Sequence, residues 1–214
     1  MTTPTTHCIG KAEGDAFLDR IVTGDESWAH HYDPETKLQS MEYRHWTSPP
    51  PKKFKMQQSA GKVMVTIFWD CHGVVLVEFL ERGATVNSAR YVQTLKKLRA
   101  RLHRVRPQKN SIIQHDNARP HTSRETTAAL EKLQFRDVLP HPPYSPDLAP
   151  CDFWLFPKLK EHLKGTRFTS DQEVTDAVRR WCRQQPASFF ADGMQRLVQR
   201  WRKCDNTGGD YIEK

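Results

Sequence analysis

The chain of 214 residues is long enough for one domain with a substantial core, and its 37% hydrophobic and 27% charged residues are ordinary for a soluble globular protein. It has no apolar stretch near the roughly 18 residues that a membrane span needs and no N-terminal secretory signal. Its five cysteines include no CxxC pair, so a disulfide framework is disfavoured and a reducing intracellular compartment is expected. The formal net charge of +8 favours a polyanionic partner, most simply nucleic acid.

The N-terminal third contains two predicted strands and one long loop. Residues 1–16 are polar and Thr-rich, which predicts a flexible lead-in. Aromatic and β-branched residues predict a strand over Phe17–Gly24 and, after the turn GDES, a second strand over 28–33. The segment from Pro34 to Gly61 has three consecutive prolines together with aromatic residues, which predicts a functional loop whose aromatics pack on a partner subunit or DNA.

The middle of the chain predicts a hairpin and then alternating helices and strands. The segments KVMVTIFWD and VVLVEFLE flank a turn at Cys71-His72-Gly73. Apolar residues at spacings of three and four predict a helix over 87–105. From Arg90 to Lys109 there are eight basic residues and no acid, which fits either a solvated helix face or a DNA contact. Further elements are predicted as a strand over 111–114, a helix over 122–133 and a strand over 135–139.

The C-terminal third is predicted to be helical. Asp152, Phe156, Leu159 and Leu163 fall on one helix face, so Asp152 is expected to point toward the body of the domain. Gly165 is expected to end that helix, and two more helices are predicted over 171–185 and 186–202, the first capped by Ser170. The element order predicts an α/β fold in which helices pack on the faces of a sheet.

Three aspartates occur in motif-like settings that suggest a metal site. Asp25 lies in IVTGDES and Asp116 in SIIQHDNARPHTS, and each closes an apolar run as a residue at a strand end would. Asp152 lies in YSPDLAPCDFWLF and opens the predicted helix. Carboxylates in such places are costly unless a cation neutralises them, and Mg²⁺ prefers oxygen ligands of this kind. If the three elements are neighbours, the sequence predicts metal-dependent chemistry on a phosphate backbone.

Each aspartate also has a simpler interpretation. Asp25 could close a turn, Asp116 could accept hydrogen bonds from nearby backbone amides, and Asp152 could be a helix N-cap. Strand alternation is expected to send Glu26 to the face opposite Asp25, so that only one of the two reaches a metal. Zinc bound by His115 and His121 with Asp116 is disfavoured, because no second cluster completes such a site.

The three motifs together resemble the catalytic domain of a mariner-family DNA transposase. The segments KVMVTIFWDCHGVV, ERGATVNSARYVQTL and RWRKCDNTGGDYIE are similar as well, so the resemblance covers residues 17–214. It implies an RNase H-like mixed sheet flanked by helices, in which Asp25, Asp116 and Asp152 bind two Mg²⁺ or Mn²⁺ ions. It also implies nuclear DNA cleavage at transposon ends and strand transfer to TA targets. Residues 34–61 would then be a clamp-like loop that reaches the partner in a homodimer.

The sequence departs from the family pattern in two ways. Thirty-five residues separate Asp116 from Asp152, where the family has thirty-four, and the extra residue is expected near Phe135-Arg136-Asp137, where a bulge or longer turn could absorb it. The family's two N-terminal helix-turn-helix units have no counterpart in these residues, so weaker recognition of transposon ends is expected. The alternative function is therefore a domesticated, catalytically weak domain retained for DNA binding or dimerisation.

Overall fold

The computed structural model describes residues 11–35, 57–107, 110–135, 137–208 and 211. The predictions for residues 1–10 and for most of the clamp-like loop, residues 36–56, lie outside the described residues. Within the described part, no helix combines the length and the apolar character that crossing a membrane would require.

A mixed five-stranded sheet organises the chain, in the order β3-β2-β1-β4-β5. β1 pairs antiparallel with β2 and parallel with β4, so it is the central strand. β2 and β3 form the predicted antiparallel hairpin, and β5 adds to β4 in parallel at the other edge. The strands are β1 Ile21–His30, β2 Lys62–Asp70, β3 Gly73–Phe79, β4 Ile112–Gln114 and β5 Asp137–Val138.

Seven helices are described, and they cover both faces of the sheet. They are α1 Lys11–Arg20, α2 Ser88–Val105, α3 Arg119–Thr122, α4 Arg124–Lys132, α5 Phe156–Leu163, α6 Asp171–Gln184 and α7 Ala187–Asn206. A 3₁₀ turn at Pro146–Leu148 and a π-helical turn at Cys151–Leu155 lead into α5. The fold confirms the predicted sheet with helices on its faces.

Strand alternation divides the core into two layers. On one face Ile21, Ile67 and Trp69 pack with residues of α5, α6 and α7. On the other face Val22 and Phe68 pack with α2 and α4. Burying each large apolar side chain contributes about 1.5–3 kcal/mol, so both layers hold the central strands in place.

The prediction of two strands around a GDES turn was wrong. Residues 17–20 belong to α1, and β1 continues through GDES without a break. Leu18 is buried in the core from this helix, although the composition of the segment is strand-like. The backbone of Asp25 and Glu26 pairs with Ile67 and Thr66 of β2, and these ladder hydrogen bonds favour strand over turn.

Most other predicted elements are confirmed, with shifts at their ends. Asn87 caps α2, Ser170 caps α6, and Gly165 follows α5 with φ +79°. The helix predicted over 122–133 is divided, because Ser123 adopts extended backbone and its hydroxyl accepts the amide of Thr126 as the cap of α4. The strand predicted over 135–139 is confined to β5.

Candidate metal-dependent active site

Strand register places Asp25 beside Asp116. Asp25 lies in the middle of β1, not at a strand end as predicted, because β1 runs on along β2 after β4 has ended. Thr23 pairs with Gln114 in the parallel β1–β4 ladder, and each aspartate lies two residues further along its own segment. Chain segments that are 91 positions apart in sequence therefore bring two carboxylates to one cleft, which both residues line.

Gly24 fixes the position of β1 next to this cleft. A Cβ atom at residue 24 would lie 2.2 Å from two ring carbons of Phe68, so only glycine allows this close approach. Thr23 and Asp25 point to the opposite face, where the Thr23 hydroxyl is 4.0 Å from the Sγ of Cys151. The glycine thus lets β1 pack closely against Phe68, while strand alternation places Asp25 on the same face as Thr23, which lies beside Cys151.

Asp116 is held in one orientation by two donors. Its Oδ1 accepts the backbone N–H of Ala118 at 3.0 Å and contacts Nδ1 of His121 at 2.6 Å. The first bond matches the simpler interpretation of Asp116 as an acceptor for backbone amides. Among the described residues no donor reaches its Oδ2, so one oxygen is held and the other faces outward.

Asp152 lies on the π-helical turn, where its side chain is accessible to solvent but close enough to Asp25 to raise the pKa of that carboxyl. The backbone N–H of Phe156 donates to the carbonyl of Cys151, which is the five-residue spacing of a π turn. Phe156, Leu159 and Leu163 are buried as predicted, but the expectation that Asp152 points into the body was wrong, because the π turn breaks the α-helical period. The residue makes no side-chain capping bond, so the N-cap interpretation is wrong too.

The three carboxylates interact electrostatically across the cleft. Burial raises the pKa of Asp25 from 3.8 to about 8, and the charges of Asp152 and Asp116 add to that effect, against a hydrogen bond from the Glu26 amide. Burial and the charge of Asp116 also raise the pKa of Asp152, with Lys160 opposing. The pKa of Asp116 is lowered, chiefly by its hydrogen bond with His121. Negative charge is therefore concentrated at one site.

A buried histidine that the sequence did not assign to this site connects Glu26 to Asp116. His121 is 2% exposed, with Nδ1 bonded to Asp116 and Nε2 lying 3.3 Å from Oε2 of Glu26. Burial lowers the pKa of His121, but the hydrogen bonds with Asp116 and Glu26 outweigh it and raise the pKa to about 9. Glu26 was correctly predicted to lie on the face opposite Asp25. From that face, Glu26 is connected to Asp116 through His121.

A neutral histidine and a tyrosine pack against this charged ring. The rings of His115 and His121 stack at 5.2 Å, and the Tyr91 hydroxyl lies 2.7 Å from Nδ1 of His115. Burial, followed by the charge of His121, lowers the pKa of His115 to about 4. Both ring nitrogens of His121 face carboxylates, Nδ1 toward Asp116 and Nε2 toward Glu26.

The donor set at the cleft suits a hard divalent cation. Within the described residues, no hydrogen-bond donor reaches Oδ2 of Asp25, Oδ2 of Asp116 or either oxygen of Asp152. Carboxylate oxygens are the ligands that Mg²⁺ and Mn²⁺ prefer, and a bound cation would offset the burial and the neighbouring charges that raise the pKa of Asp25 and Asp152. The chain thus has the residues for such a cation, and the buried cationic side chain at the site, His121, contacts Asp116 and Glu26.

Comparisons with known proteins identify the family. The model of the family described as transposase, partial DDE domain, matches residues 33–112. The Mos1 mariner transposase of Drosophila mauritiana is 39% identical over 210 residues, which are 96% of this chain and 60% of the relative. Human histone-lysine N-methyltransferase SETMAR is 36% identical over 210 residues, or 30% of its length. The chain thus spans less than two thirds of either curated relative.

Solved structures give the same result for the fold. The catalytic domain of Mos1 mariner transposase is 36% identical, with a TM-score of 0.76, and the match covers 94% of this chain and 88% of that one. The Mos1 paired-end complex with Mn is 39% identical with a TM-score of 0.84 and coverage of 94% and 59%. The sheet and its carboxylate cleft therefore define a transposase catalytic domain of the RNase H-like DDE class. The chain belongs to the mariner family of transposases.

Proposed function

We propose that this chain catalyses metal-dependent DNA cleavage and strand transfer, with Asp25, Asp116 and Asp152 as the catalytic ligands of two Mg²⁺ or Mn²⁺ ions. The observation that carries the proposal is the meeting of Asp25 and Asp116 in one cleft, with Asp152 close enough for its charge to help raise the pKa of Asp25 to about 8. Bound cations would lower that pKa by direct coordination and so relieve the repulsion. Solved Mos1 structures with Mn and with Mg support this choice of metals.

The residues of the chain hold and orient the ligands in this scheme. Cations held by Asp25, Asp116 and Asp152 would activate the attacking oxygen and stabilise the leaving oxygen of an in-line displacement. His121 and the Ala118 amide fix Oδ1 of Asp116, so that Oδ2 is presented in one direction. Glu26 holds the other nitrogen of His121 and keeps that ring charged and oriented.

DNA is the proposed substrate, both as transposon ends and as TA target. The net charge of +8 and the exposed basic residues of α2, including Lys96, Arg101 and Arg104, favour a phosphate backbone. Among the relatives, one solved complex is the Mos1 transposase paired-end complex with left transposon end. We extend this to a homodimer formed through residues 34–61 and to action in the nucleus, where chromosomal DNA is found.

A nicking assay on supercoiled plasmid in Mn²⁺ tests the function. Wild-type protein and the matched control Asp176→Ala, which alters an exposed carboxylate on α6, are expected to nick the plasmid. Asp116→Ala is expected to lose this activity, because it removes a ligand that both Ala118 and His121 position. Nicking by the Asp116→Ala protein at the wild-type rate would contradict the assignment.

The same material tests the alternative of a domain retained for DNA binding or dimerisation. The similarity to 30% of the length of a protein named as a histone methyltransferase favours this alternative, since the domain there is a part of a larger protein. Wild-type protein that binds DNA with a steep salt dependence, yet nicks in neither Mg²⁺ nor Mn²⁺, would establish it.

A further inference from the structure

A second group of metal-ligating side chains lies outside the aspartate cleft. Asp19, Cys71 and His72 are the one group of three among the described residues whose ligand atoms all lie within 4.8 Å of one another. Nε2 of His72 is 2.5 Å from Oδ1 of Asp19, and the thiol of Cys71 is 3.3 Å from the same oxygen. A carboxylate oxygen, a sulfur and an imidazole nitrogen therefore converge on one point.

The turn that carries Cys71 and His72 is held by a hydrogen bond to the buried Asp70. The backbone N–H of His72 donates to Oδ1 of Asp70 at 2.9 Å, and Asp70 is fully buried. Arg106 reaches the Asp70 carboxylate through Nε at 3.1 Å and Nη2 at 3.3 Å. Gly73, at φ +141°, then leads the chain into β3. Cys71 and His72 are thus presented on a two-residue turn whose backbone has one fixed arrangement.

This group is distinct from the aspartate cleft. Asp19 lies in the last turn of α1, and the turn follows the end of β2. Asp25 pairs with Ile67, which precedes Cys71 by four residues along β2, or about 13 Å at the rise of an antiparallel strand. Asp19 and His72 are half-exposed, so the group opens to solvent at the edge of the molecule.

We propose that Asp19, Cys71 and His72 form a Zn²⁺ site. Thiolate and imidazole ligands select Zn²⁺ over the hard ions Mg²⁺ and Mn²⁺, and three protein ligands leave a fourth tetrahedral position for water. On binding, the Cys71 thiol releases its proton to solvent, and the Asp19–His72 contact is replaced by two bonds to the metal. The ion would connect α1 to the β2–β3 turn, two segments 52 positions apart in sequence.

Titration of the full chain with Co²⁺ as a spectroscopic probe tests the site. One equivalent is expected to produce a thiolate-to-cobalt charge-transfer band. Cys151→Ser is expected to keep this band, which excludes the cysteine that lines the aspartate cleft as its source. Cys71→Ser is expected to remove the band, whereas Cys8→Ser and Cys182→Ser are expected to keep it. Absence of the band from wild-type protein, or its persistence in Cys71→Ser, would overturn the proposal and leave an ordinary surface ion pair.

A second variant and a second readout exclude an effect of misfolding. His72→Gln alters an exposed side chain, so the variant is expected to fold and to bind Zn²⁺ at least tenfold more weakly than wild type. Zn²⁺ is expected to raise the Tm of the wild-type protein and not that of Cys71→Ser. Plasmid nicking in Mn²⁺ is expected to be equal in all three proteins. Equal Zn²⁺ affinity of wild type and His72→Gln would overturn the proposal.

Discussion

Replacing Asp25 by Asn is expected to stabilise the metal-free domain while it abolishes DNA cleavage. In the absence of a cation, the Asp25 carboxylate is buried close to the charges of Asp152 and Asp116. Asn has the same shape and still accepts the hydrogen bond that the Glu26 amide donates to Oδ1 at 2.7 Å. The substitution therefore removes the need to protonate a buried carboxylate on folding and keeps the packing and the hydrogen bond.

The magnitude follows from the pKa of Asp25 in the two states. The pKa is 3.8 in the unfolded chain and about 8 in the folded one. At pH 7 folding therefore requires the carboxyl to take up a proton, which costs about 4 kcal/mol. Asn has no such cost, so the free energy of unfolding of Asp25→Asn is expected to exceed that of wild type by up to about 4 kcal/mol at this pH.

The sign of the pH dependence is determined by the same shift. Between pH 3.8 and about 8 the folded state binds more protons than the unfolded state, so the free energy of unfolding of wild type falls as the pH rises. Above that window the contribution of Asp25 no longer changes. The advantage of Asp25→Asn is thus expected to grow by about 3 kcal/mol between pH 5.5 and 7.5.

Urea unfolding in EDTA at the two pH values, followed by circular dichroism, measures this difference. Asp176→Asn is the matched control, because it alters an exposed carboxylate and is expected to leave the pH dependence of wild type unchanged. With Mn²⁺ added, wild type is expected to gain more stability than Asp25→Asn. A difference between wild type and Asp25→Asn that does not change with pH would refute the reasoning.

Two further substitutions test the supports of the site. Glu26→Gln removes the negative charge 3.3 Å from Nε2 of His121 and is expected to weaken Mn²⁺ binding about 10- to 100-fold in calorimetric titration. The matched control is Glu125→Gln, which alters an exposed carboxylate. Equal Mn²⁺ affinities of the two variants would argue against a role for Glu26. Gly24→Ala places a Cβ atom 2.2 Å from the Phe68 ring and is expected to lower the free energy of unfolding by at least about 1–3 kcal/mol, and an unchanged urea midpoint would show that β1 can move away from Phe68.

The sequence by itself determined the elements whose causes are local. Two strand-like segments joined by a short turn predicted the β2–β3 hairpin, and apolar spacing predicted α2. The caps Asn87 and Ser170 lie where their own helices begin. The motifs around the three aspartates also identified the candidate ligands, since that identification depends on residue order alone. Their role as metal ligands stays a prediction.

Only the tertiary structure decided how these residues meet. Residues 17–20 form the end of α1 instead of a strand, and pairing with β2 carried β1 through GDES. The parallel register with β4 placed Asp25 beside Asp116, a π turn turned Asp152 outward, and His121 joined Asp116 to Glu26. Except for the π turn, these outcomes depend on contacts between segments that are distant in the chain, and local propensity contains no information about such partners.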